Sequence, residues 1–263
     1  MNINLSGKKA FVCGSTQGIG KAAALELADL GASIVLLARN EESLKQVKDE
    51  LNQSQNQRHD YIVADFSKPD QLKNRVAEYL AGDVSPVHIL INNTGGPAAG
   101  KAIDADVQEF INTFQAHLIC NQILVQSLVE KMKLEGYGRI INVISTSVKQ
   151  PIPNLGVSNT IRGAVASWAK TLAGELGEYG ITVNNVLPGF TKTARLEAIV
   201  NNKASKTGDS TAKIEAEMKG ETPAKRFGEA SEIAAAIAFL ASPAASYING
   251  INLPVDGGRT GCL

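Results

Sequence analysis

The chain has 263 residues, of which 44% are hydrophobic and 20% are charged. This composition is typical of a soluble globular protein and excludes intrinsic disorder, which goes with fewer apolar residues and more net charge. Lys and Arg together number 26, as do Asp and Glu, and this balance argues against a general binder of nucleic acid or of anionic membranes. The length fits a single α/β domain, which we assign to residues 1–263.

Three scattered cysteines, Cys13, Cys120 and Cys262, form no CxxC pair. Their odd number and wide spacing argue against a disulfide framework or a zinc ribbon, so we expect no metal site and a reducing compartment. The first residues contain no apolar signal core, and no apolar run reaches the ~18 residues of a spanning helix. The cytoplasm is therefore the expected location.

Short apolar runs alternate with amphipathic segments along the whole chain. The apolar runs cover residues 10–13, 33–38, 61–64, 87–91, 139–144, 181–187 and 248–255. The helix-like segments cover about 18–30, 41–54, 69–81, 104–134, 155–179 and 229–241. Continuous apolar runs are typical of strands that are buried on both faces. The alternation predicts a doubly wound, Rossmann-type parallel sheet of about seven strands, with helices on both faces.

Residues 190–222 interrupt this alternation, because they are rich in Lys, Asn, Ser, Thr and Glu and carry no strand signal. Insertions of this length are usually functional lids or disordered loops. The segment follows the carboxyl end of a predicted strand, which is where open α/β sheets bind ligands. We therefore expect a substrate lid, with a solvated surface excursion as the alternative.

A glycine-rich turn joins the first predicted strand to the first predicted helix. It runs from Cys13 through Gly14, Ser15, Thr16, Gln17, Gly18, Ile19 and Gly20. Glycines at this point let backbone N–H groups approach a pyrophosphate, and the helix N-terminus adds partial positive charge. The turn therefore predicts a dinucleotide site that includes Gly14, Ser15, Gln17, Gly18, Ile19 and Gly20.

The end of the second strand bears on the choice of cofactor. An acidic residue there would bind a ribose 2′-hydroxyl, whereas an arginine suits a 2′-phosphate. The chain has Arg39 and no acid at this point, which favours NADP(H) over NAD(H), although a surface arginine is the alternative. Asp65 follows the third strand, where it could reach the adenine or simply cap a turn.

The chain carries four motifs in this order: the glycine turn, Asn92-Asn93-Thr94-Gly95-Gly96, Pro188-Gly189 and Val255-Asp256-Gly257-Gly258. In type and order they resemble those of the short-chain dehydrogenases/reductases, and the resemblance spans essentially the whole chain. The segment from Pro223 to Gly228, leading into Glu232, resembles the 3-oxoacyl-acyl-carrier-protein reductase branch. The resemblance implies further cofactor contacts from Asn92, Gly95, Arg162, Pro188, Gly189 and Thr191. It also implies a homotetramer or homodimer built through helices 104–134 and 155–179, although their apolar stripes could equally be internal core.

Members of this family that transfer hydride use Asn, Ser, Tyr and Lys side chains, and the chain departs from this set. Ser145 matches the family serine, whereas the tyrosine position, 13 residues further on, holds Ser158. The lysine position, four residues beyond, holds Arg162, and the asparagine position holds His117. Three of the family's four catalytic residues are therefore replaced. An active site that has lost its activity is the alternative explanation.

The replacements change what the site can do chemically. A serine hydroxyl is a far weaker acid than a tyrosine phenol, whose reference pKa is about 10. Arg162 lies one helical turn after Ser158, stays charged and is a poor proton donor. Together with Ser145 they suggest a binding site for an anionic or carbonyl oxygen. His117 and Lys149 are the candidate replacement acid/bases, with a packed histidine and a solvated lysine as alternatives.

These observations predict an NADP(H)-dependent oxidoreductase that acts on a small carbonyl or alcohol substrate with a non-standard proton donor. One alternative is a nucleotide-binding protein that performs no hydride transfer. Another is a lyase or isomerase on the same fold. Arg162, Lys149 and the lid residues Lys192 and Arg195 suggest an anionic substrate, although the lid also carries several glutamates.

Overall fold

The computed structural model describes residues 1–83 and 85–262, and its centre is one parallel sheet. The strands are β1 (Lys9–Cys13), β2 (Ser33–Ala38), β3 (Asp60–Val63), β4 (Ile89–Asn92), β5 (Gly138–Val143), β6 (Ile181–Pro188) and β7 (Asn252–Val255). The helices are α1 (Gly18–Asp29), α2 (Glu41–Glu50), α3 (Pro69–Gly82), α4 (Val107–Phe114), α5 (Cys120–Glu135), α6 (Gly156–Leu176), α7 (Ala194–Thr207), α8 (Thr211–Gly220) and α9 (Ala230–Ala241).

The sheet has the strand order β3-β2-β1-β4-β5-β6-β7 with every pairing parallel. Side chains on one of its faces pack against α1, α2 and α9, as Val12, Leu27 and Ile237 show. Side chains on the other face, such as Phe11, pack with Leu124 of α5 and neighbouring helices. The prediction of a doubly wound sheet with about seven strands is therefore confirmed.

An asparagine ladder crosses the sheet between its two packed faces. Asn92, Asn142, Asn185 and Asn252 stand in register on β4, β5, β6 and β7. Asn92, Asn142 and Asn185 each donate from Nδ2 to Oδ1 of the next asparagine at 2.8 Å. The ladder pairs most of the amide groups that would otherwise be costly to bury, although Asn92 Oδ1 has no partner within the described residues.

Several predicted boundaries differ from those in the structure. The segment predicted as one helix over 104–134 contains α4 and α5, separated by a π-helical turn over Gln115–Ile119. The last predicted strand is shorter, since only Asn252–Val255 pairs with β6.

The segment after β6 contains two capped helices. Thr193 Oγ1 accepts a hydrogen bond from Leu196 N at the start of α7, and Ser210 Oγ accepts one from Lys213 N at the start of α8. A small apolar cluster, separate from the two sheet cores, holds this region together through Leu196, Val200, Ile214, Met218 and Phe227. We call α7, α8 and their connection the α7–α8 segment.

The strand order reverses between β1 and β4, which are neighbours in the sheet although two strands separate them in the chain. The chain leaves β1 and β4 towards opposite sides of the sheet, which opens a crevice at their carboxyl ends.

No helix within residues 1–83 and 85–262 combines the length and the apolar character that crossing a membrane requires.

Candidate active site

A cavity of about 620 Å³ lies at this carboxyl edge of the sheet. The turn after β1 and the ends of β2 to β6 contribute to its walls, together with residues of α6 and the start of α7. The cavity therefore joins the glycine turn to the positions of Ser145, Ser158 and Arg162.

The glycine turn is packed so closely that side chains would not fit. Gly14 and Gly18 have φ values of +57° and +54°, a region that favours glycine. A Cβ added at Gly20 would lie 2.1 Å from Gly14 O, and one at Gly14 would lie 2.7 Å from Asn93 O. The backbone of the turn can therefore approach the end of β4 directly.

The N-terminus of α1 opens towards the cavity. Its cap residue, Gln17, makes no side-chain cap, so the N–H groups of the first turn remain free for an anion. Gly14, Gln17, Gly18 and Ile19 line the cavity as predicted, and so does Thr16. This arrangement fits the pyrophosphate of a dinucleotide.

Two residues of the turn that are predicted cofactor contacts lie beneath it in the structure. Ser15 has no exposed surface, and its Oγ lies 3.5 Å from Leu37 O. Gly20 is buried against Gly14 and Asn93. Neither residue lines the cavity.

Asn92, another predicted cofactor contact, directs its side chain into the asparagine ladder instead of the cavity. It is only 2% exposed and lies outside the cavity wall. The neighbouring Asn93 lines the cavity instead and donates from Nδ2 to the carbonyl oxygens of Cys13 and Gly14. Asn93 therefore holds the glycine turn against the end of β4. Sequence reasoning missed this role, although Asn93 lies next to Asn92 in the same motif.

Arg39 and Asp65 line the end of the cavity next to β2 and β3, whereas Arg162 lines the other end, next to β5. Arg39 is exposed, and no ion pair involving it is found across residues 1–83 and 85–262. Burial of Asp65 opposes its ionisation, but hydrogen bonds from Ser67 and the charge of Arg39 outweigh this effect and lower the pKa of Asp65. An ionised carboxylate and a free guanidinium therefore face the same end of the cavity.

Ser145, Ser158 and Arg162 line one cavity, as the sequence predicts. Ser145 lies two residues after the end of β5, where its Oγ accepts a hydrogen bond from Ser147 N at 3.1 Å. Its hydroxyl proton is therefore free to be donated to a ligand. Ser158 lies in the first turn of α6 and Arg162 one turn later.

The Arg162 guanidinium is held by backbone carbonyls and by no carboxylate. It is 8% exposed and donates from Nη1 to Val143 O at 3.0 Å and from Nη2 to Thr94 O at 3.5 Å. Its Nε is buried with no partner within the described part of the chain. Burial and then the charge of Arg195 lower the pKa of Arg162 to about 10, so the group is still cationic at neutral pH.

The prediction that His117 is an acid/base is wrong. The residue lies in the π-helical turn, is 3% exposed and donates from Nε2 to Gly95 O at 3.1 Å. Burial and the charge of Arg162 lower the pKa of His117 to about 2. The imidazole is therefore neutral at working pH, and it does not line the cavity.

Lys149, the second predicted acid/base, is not part of the cavity lining. It follows a short 3₁₀ turn over Thr146–Val148 and lies outside the cavity wall. Its backbone carbonyl accepts a hydrogen bond from Cys262 Sγ. The direction of this loop, which the sequence did not reveal, places the lysine beside the C-terminal segment.

The remaining predicted contacts, Gly95, Pro188, Gly189 and Thr191, all line the cavity. A Cβ added at Gly189 would lie 2.7 Å from Asp256 Cα, so this turn needs glycine for close packing. Sequence reasoning missed Arg259, which also lines the cavity. Its guanidinium stacks 4.0 Å from the Phe190 ring centroid and pairs with Glu221 at 3.2 Å.

Positive charge dominates the lining of the cavity. The charged residues there are Arg39, Asp65, Arg162, Arg195 and Arg259. Within the described residues, the lining includes no Tyr, Lys, His, Cys or Glu side chain. The site can bind and polarise oxygen atoms, but it offers no side chain with the pKa of an ordinary proton donor near neutrality.

Comparison with known proteins places the chain among reductases and dehydrogenases. A family model described as "Enoyl-(Acyl carrier protein) reductase" matches residues 14–260. The NADPH-dependent reductase BacG of Bacillus subtilis (strain 168) is 32% identical over 254 residues, covering 97% of this chain and 98% of the relative.

Solved structures agree with this assignment. The structure of L-sorbose reductase from Gluconobacter frateurii with NADPH and L-sorbose superposes with a TM-score of 0.92 at 29% identity, covering 100% of both chains. A short chain dehydrogenase/reductase family protein superposes with a TM-score of 0.81 at 30% identity, covering 98% of this chain and 99% of its own. The sequence motifs, the strand order and these likenesses agree, and the chain belongs to the short-chain dehydrogenase/reductase family.

Proposed function

We propose that the protein is an NADP(H)-dependent oxidoreductase that interconverts a small carbonyl compound and its alcohol through a non-standard active site. One observation carries this proposal: a single cavity joins an uncapped helix N-terminus at the glycine turn to Ser145, Ser158 and Arg162. Dinucleotide binding and oxygen binding are thereby brought together, as hydride transfer requires.

The residues of this cavity suit NADP(H). The turn from Gly14 to Ile19 would hold the pyrophosphate, and Arg39 would bind the 2′-phosphate through charge-assisted hydrogen bonds. Asp65 would lie at the adenosine end, and Pro188, Gly189 and Thr191 would complete the wall further along the sheet. The names of BacG and of the L-sorbose reductase complex, which both specify NADPH, support the same cofactor.

The chain's own residues would bind the substrate oxygen and stabilise charge on it. When bound, the nicotinamide supplies or accepts the hydride. Ser145 donates a hydrogen bond to the substrate oxygen, and the buried Arg162 cation stabilises negative charge that develops there. Ser158 lies at the same oxygen-binding site, but its hydroxyl is too weak an acid to take over the role of a phenol. We therefore assign the proton that the substrate oxygen gains or loses to water that enters the open cavity.

The α7–α8 segment would act as the substrate lid. The first half of α7 lines the cavity through Arg195, Leu196 and Ile199, and the segment packs in an apolar cluster that is separate from the two sheet cores and that also includes Phe227. A unit with a separate core can move with little loss of packing against the sheet. Binding of NADPH should therefore slow amide hydrogen exchange in α7 and α8, whereas unchanged exchange would contradict the proposed lid.

Turnover of cofactor tests the proposed function. Purified protein is mixed with NADPH or NADP⁺ and a panel of carbonyls and alcohols, and nicotinamide absorbance is followed. We expect turnover of at least one substrate and a preference for NADP(H). Tight cofactor binding without turnover would favour the second candidate, a nucleotide-binding protein without hydride chemistry, which the lack of an ordinary proton donor supports.

Arg39 provides a separate test of cofactor choice. Arg39→Ala removes the guanidinium that would bind the 2′-phosphate, so NADPH affinity should fall about tenfold or more. NADH affinity should change little, because NADH lacks that phosphate. Fluorescence titration of both cofactors measures this difference, and an equal loss for both would contradict the assignment of Arg39.

A further inference from the structure

A second arginine approaches Arg162 from the α7–α8 segment. Arg195 lies in the first turn of α7 and donates from Nη2 to Pro97 O at 2.6 Å. A carbon added at Gly96 would lie 3.7 Å from Arg195 Nη2 and 3.8 Å from Arg162 Nη2. Both guanidiniums therefore flank the same small space beside Gly96, in the wall of the cavity.

Among the residues that the structure describes, neither of these two cations has an anionic partner. The ion pairs found within residues 1–83 and 85–262 include neither Arg162 nor Arg195. The protein atoms that accept their hydrogen bonds are neutral backbone carbonyls. Their mutual repulsion and the burial of Arg162 are unfavourable in the protein alone. An anionic ligand between them would remove this cost.

We propose that Arg162 and Arg195 together bind an anionic oxygen group of the substrate, a carboxylate or a phosphate. The inference rests on the function proposed above and adds the class of its substrate. Planar guanidiniums match the paired oxygens of both groups. Because Arg195 lies on the proposed lid and Arg162 on α6, the bound anion also joins the two elements.

Binding of small anions to the NADPH-loaded protein tests this assignment without turnover. Isothermal titration calorimetry compares malonate with its neutral diamide, and inorganic phosphate is titrated in parallel. We expect malonate, phosphate or both to bind more tightly than malonamide. The tighter of the two anions identifies the group as a carboxylate or a phosphate.

Variants of Arg195 show whether that binding depends on the pair. Arg195→Gln should weaken anion binding about tenfold or more, and Arg195→Lys should weaken it less. Lys206→Gln is the charge-matched control, since Lys206 is an exposed cation in the last turn of α7, and it should leave anion binding unchanged. Equal binding of malonamide, or anion binding unaffected by Arg195→Gln, would overturn the proposal.

The alternative ligand of Arg195 is the cofactor, and titration of NADPH distinguishes cofactor binding from substrate binding by this residue. If Arg195→Gln weakens NADPH binding and leaves anion binding intact, the arginine belongs to the cofactor and the inference is wrong. Failure of the proposed function looks different. In that case malonate or phosphate binds through Arg195, but no carbonyl in the panel oxidises NADPH.

Discussion

Arg162 shows how one substitution changes the chemistry of a whole site. A lysine at this position could shift the pKa of a neighbouring phenol, but the chain has neither a lysine nor a phenol there. The guanidinium is instead anchored to Val143 O and Thr94 O, deep in the cavity wall. Its fixed positive charge suits stabilisation of an oxyanion and does not suit proton transfer.

Restoring the two family residues tests this interpretation at the residue scale. The double variant Ser158→Tyr/Arg162→Lys reintroduces an acid and its activating cation on one face of α6. If the rest of the cavity is competent, the rate of carbonyl reduction should rise about 100-fold, the lower end of general acid catalysis. Steady-state kinetics against pH provides the measurement, with each single variant as control. A double variant no faster than the wild type would show that the pocket has diverged further.

Buried neutral histidines should make the protein sensitive to acid. The ordinary pKa of histidine is about 6.5, and His117 has a folded-state pKa of about 2. Below pH 6.5 the unfolded chain therefore binds a proton at His117 that the folded protein does not, so the free energy of unfolding falls as pH falls. Between pH 7 and pH 5 the loss from His117 should be about 2 kcal/mol.

Urea unfolding of wild type and His117→Asn over this pH range checks the prediction. The variant should lose less stability than the wild type, although both retain His88, whose pKa is lowered by burial to about 4. The slope of stability against pH is the quantity compared, so a constant destabilising effect of the substitution does not matter. Parallel slopes would contradict the assignment of a depressed pKa to His117.

At the scale of elements, the asparagine ladder explains how polar residues can occupy four adjacent strands, from β4 in the middle of the sheet to β7 at its edge. Each hydrogen bond of the ladder joins an amide donor on one strand to an amide oxygen on the next strand. Parallel register and side-chain pairing therefore support each other. The ladder lies beneath the edge of the sheet that carries the proposed site, since β5 ends two residues before Ser145. It should therefore contribute to holding the strand ends in position.

Cutting the ladder at its middle should cost more than cutting it at its end. Asn142→Ala removes two hydrogen bonds and leaves polar groups of Asn92 and Asn185 buried without them, which should cost about 2–5 kcal/mol. Asn252→Ala removes one bond from a partly exposed residue and should cost about 1 kcal/mol. Urea unfolding measures both. Equal losses of unfolding free energy in the two variants would contradict this prediction.

At the scale of the molecule, α4 and the turn that precedes it present an apolar stripe that is exposed on the protein surface. Ile103 is 90% exposed, Val107 72%, Ile111 44% and Phe114 39%. The neighbouring α6 presents glycines, Gly163 and Gly174, with open space above them. Apolar and small residues on adjacent helices permit close approach of another helix pair, which supports our proposal of a homodimer or homotetramer through these helices.

A charge within the stripe should disrupt that assembly. Ile111→Glu would bury a carboxylate in the proposed interface, so the apparent mass in solution should fall towards that of the 27.8 kDa monomer. Leu134→Glu is the matched control, because Leu134 is 87% exposed near the end of α5 and lies off the stripe. Light scattering after size exclusion provides the mass. A wild type that is already monomeric, or an unchanged mass for Ile111→Glu, would contradict the proposal.

The sequence by itself determined the sheet, its helices and the glycine turn, because local periodicity and turn chemistry report directly on burial and backbone conformation. The resemblance to the family also predicted that Ser145, Ser158 and Arg162 belong to one site. Only the tertiary structure separated Asn92 from Asn93 and removed His117 and Lys149 from the cavity, since the direction of a side chain depends on packing between distant elements. The approach of Arg195 to Arg162 was decided in the same way, by a helix that returns over the cavity 33 residues later in the chain.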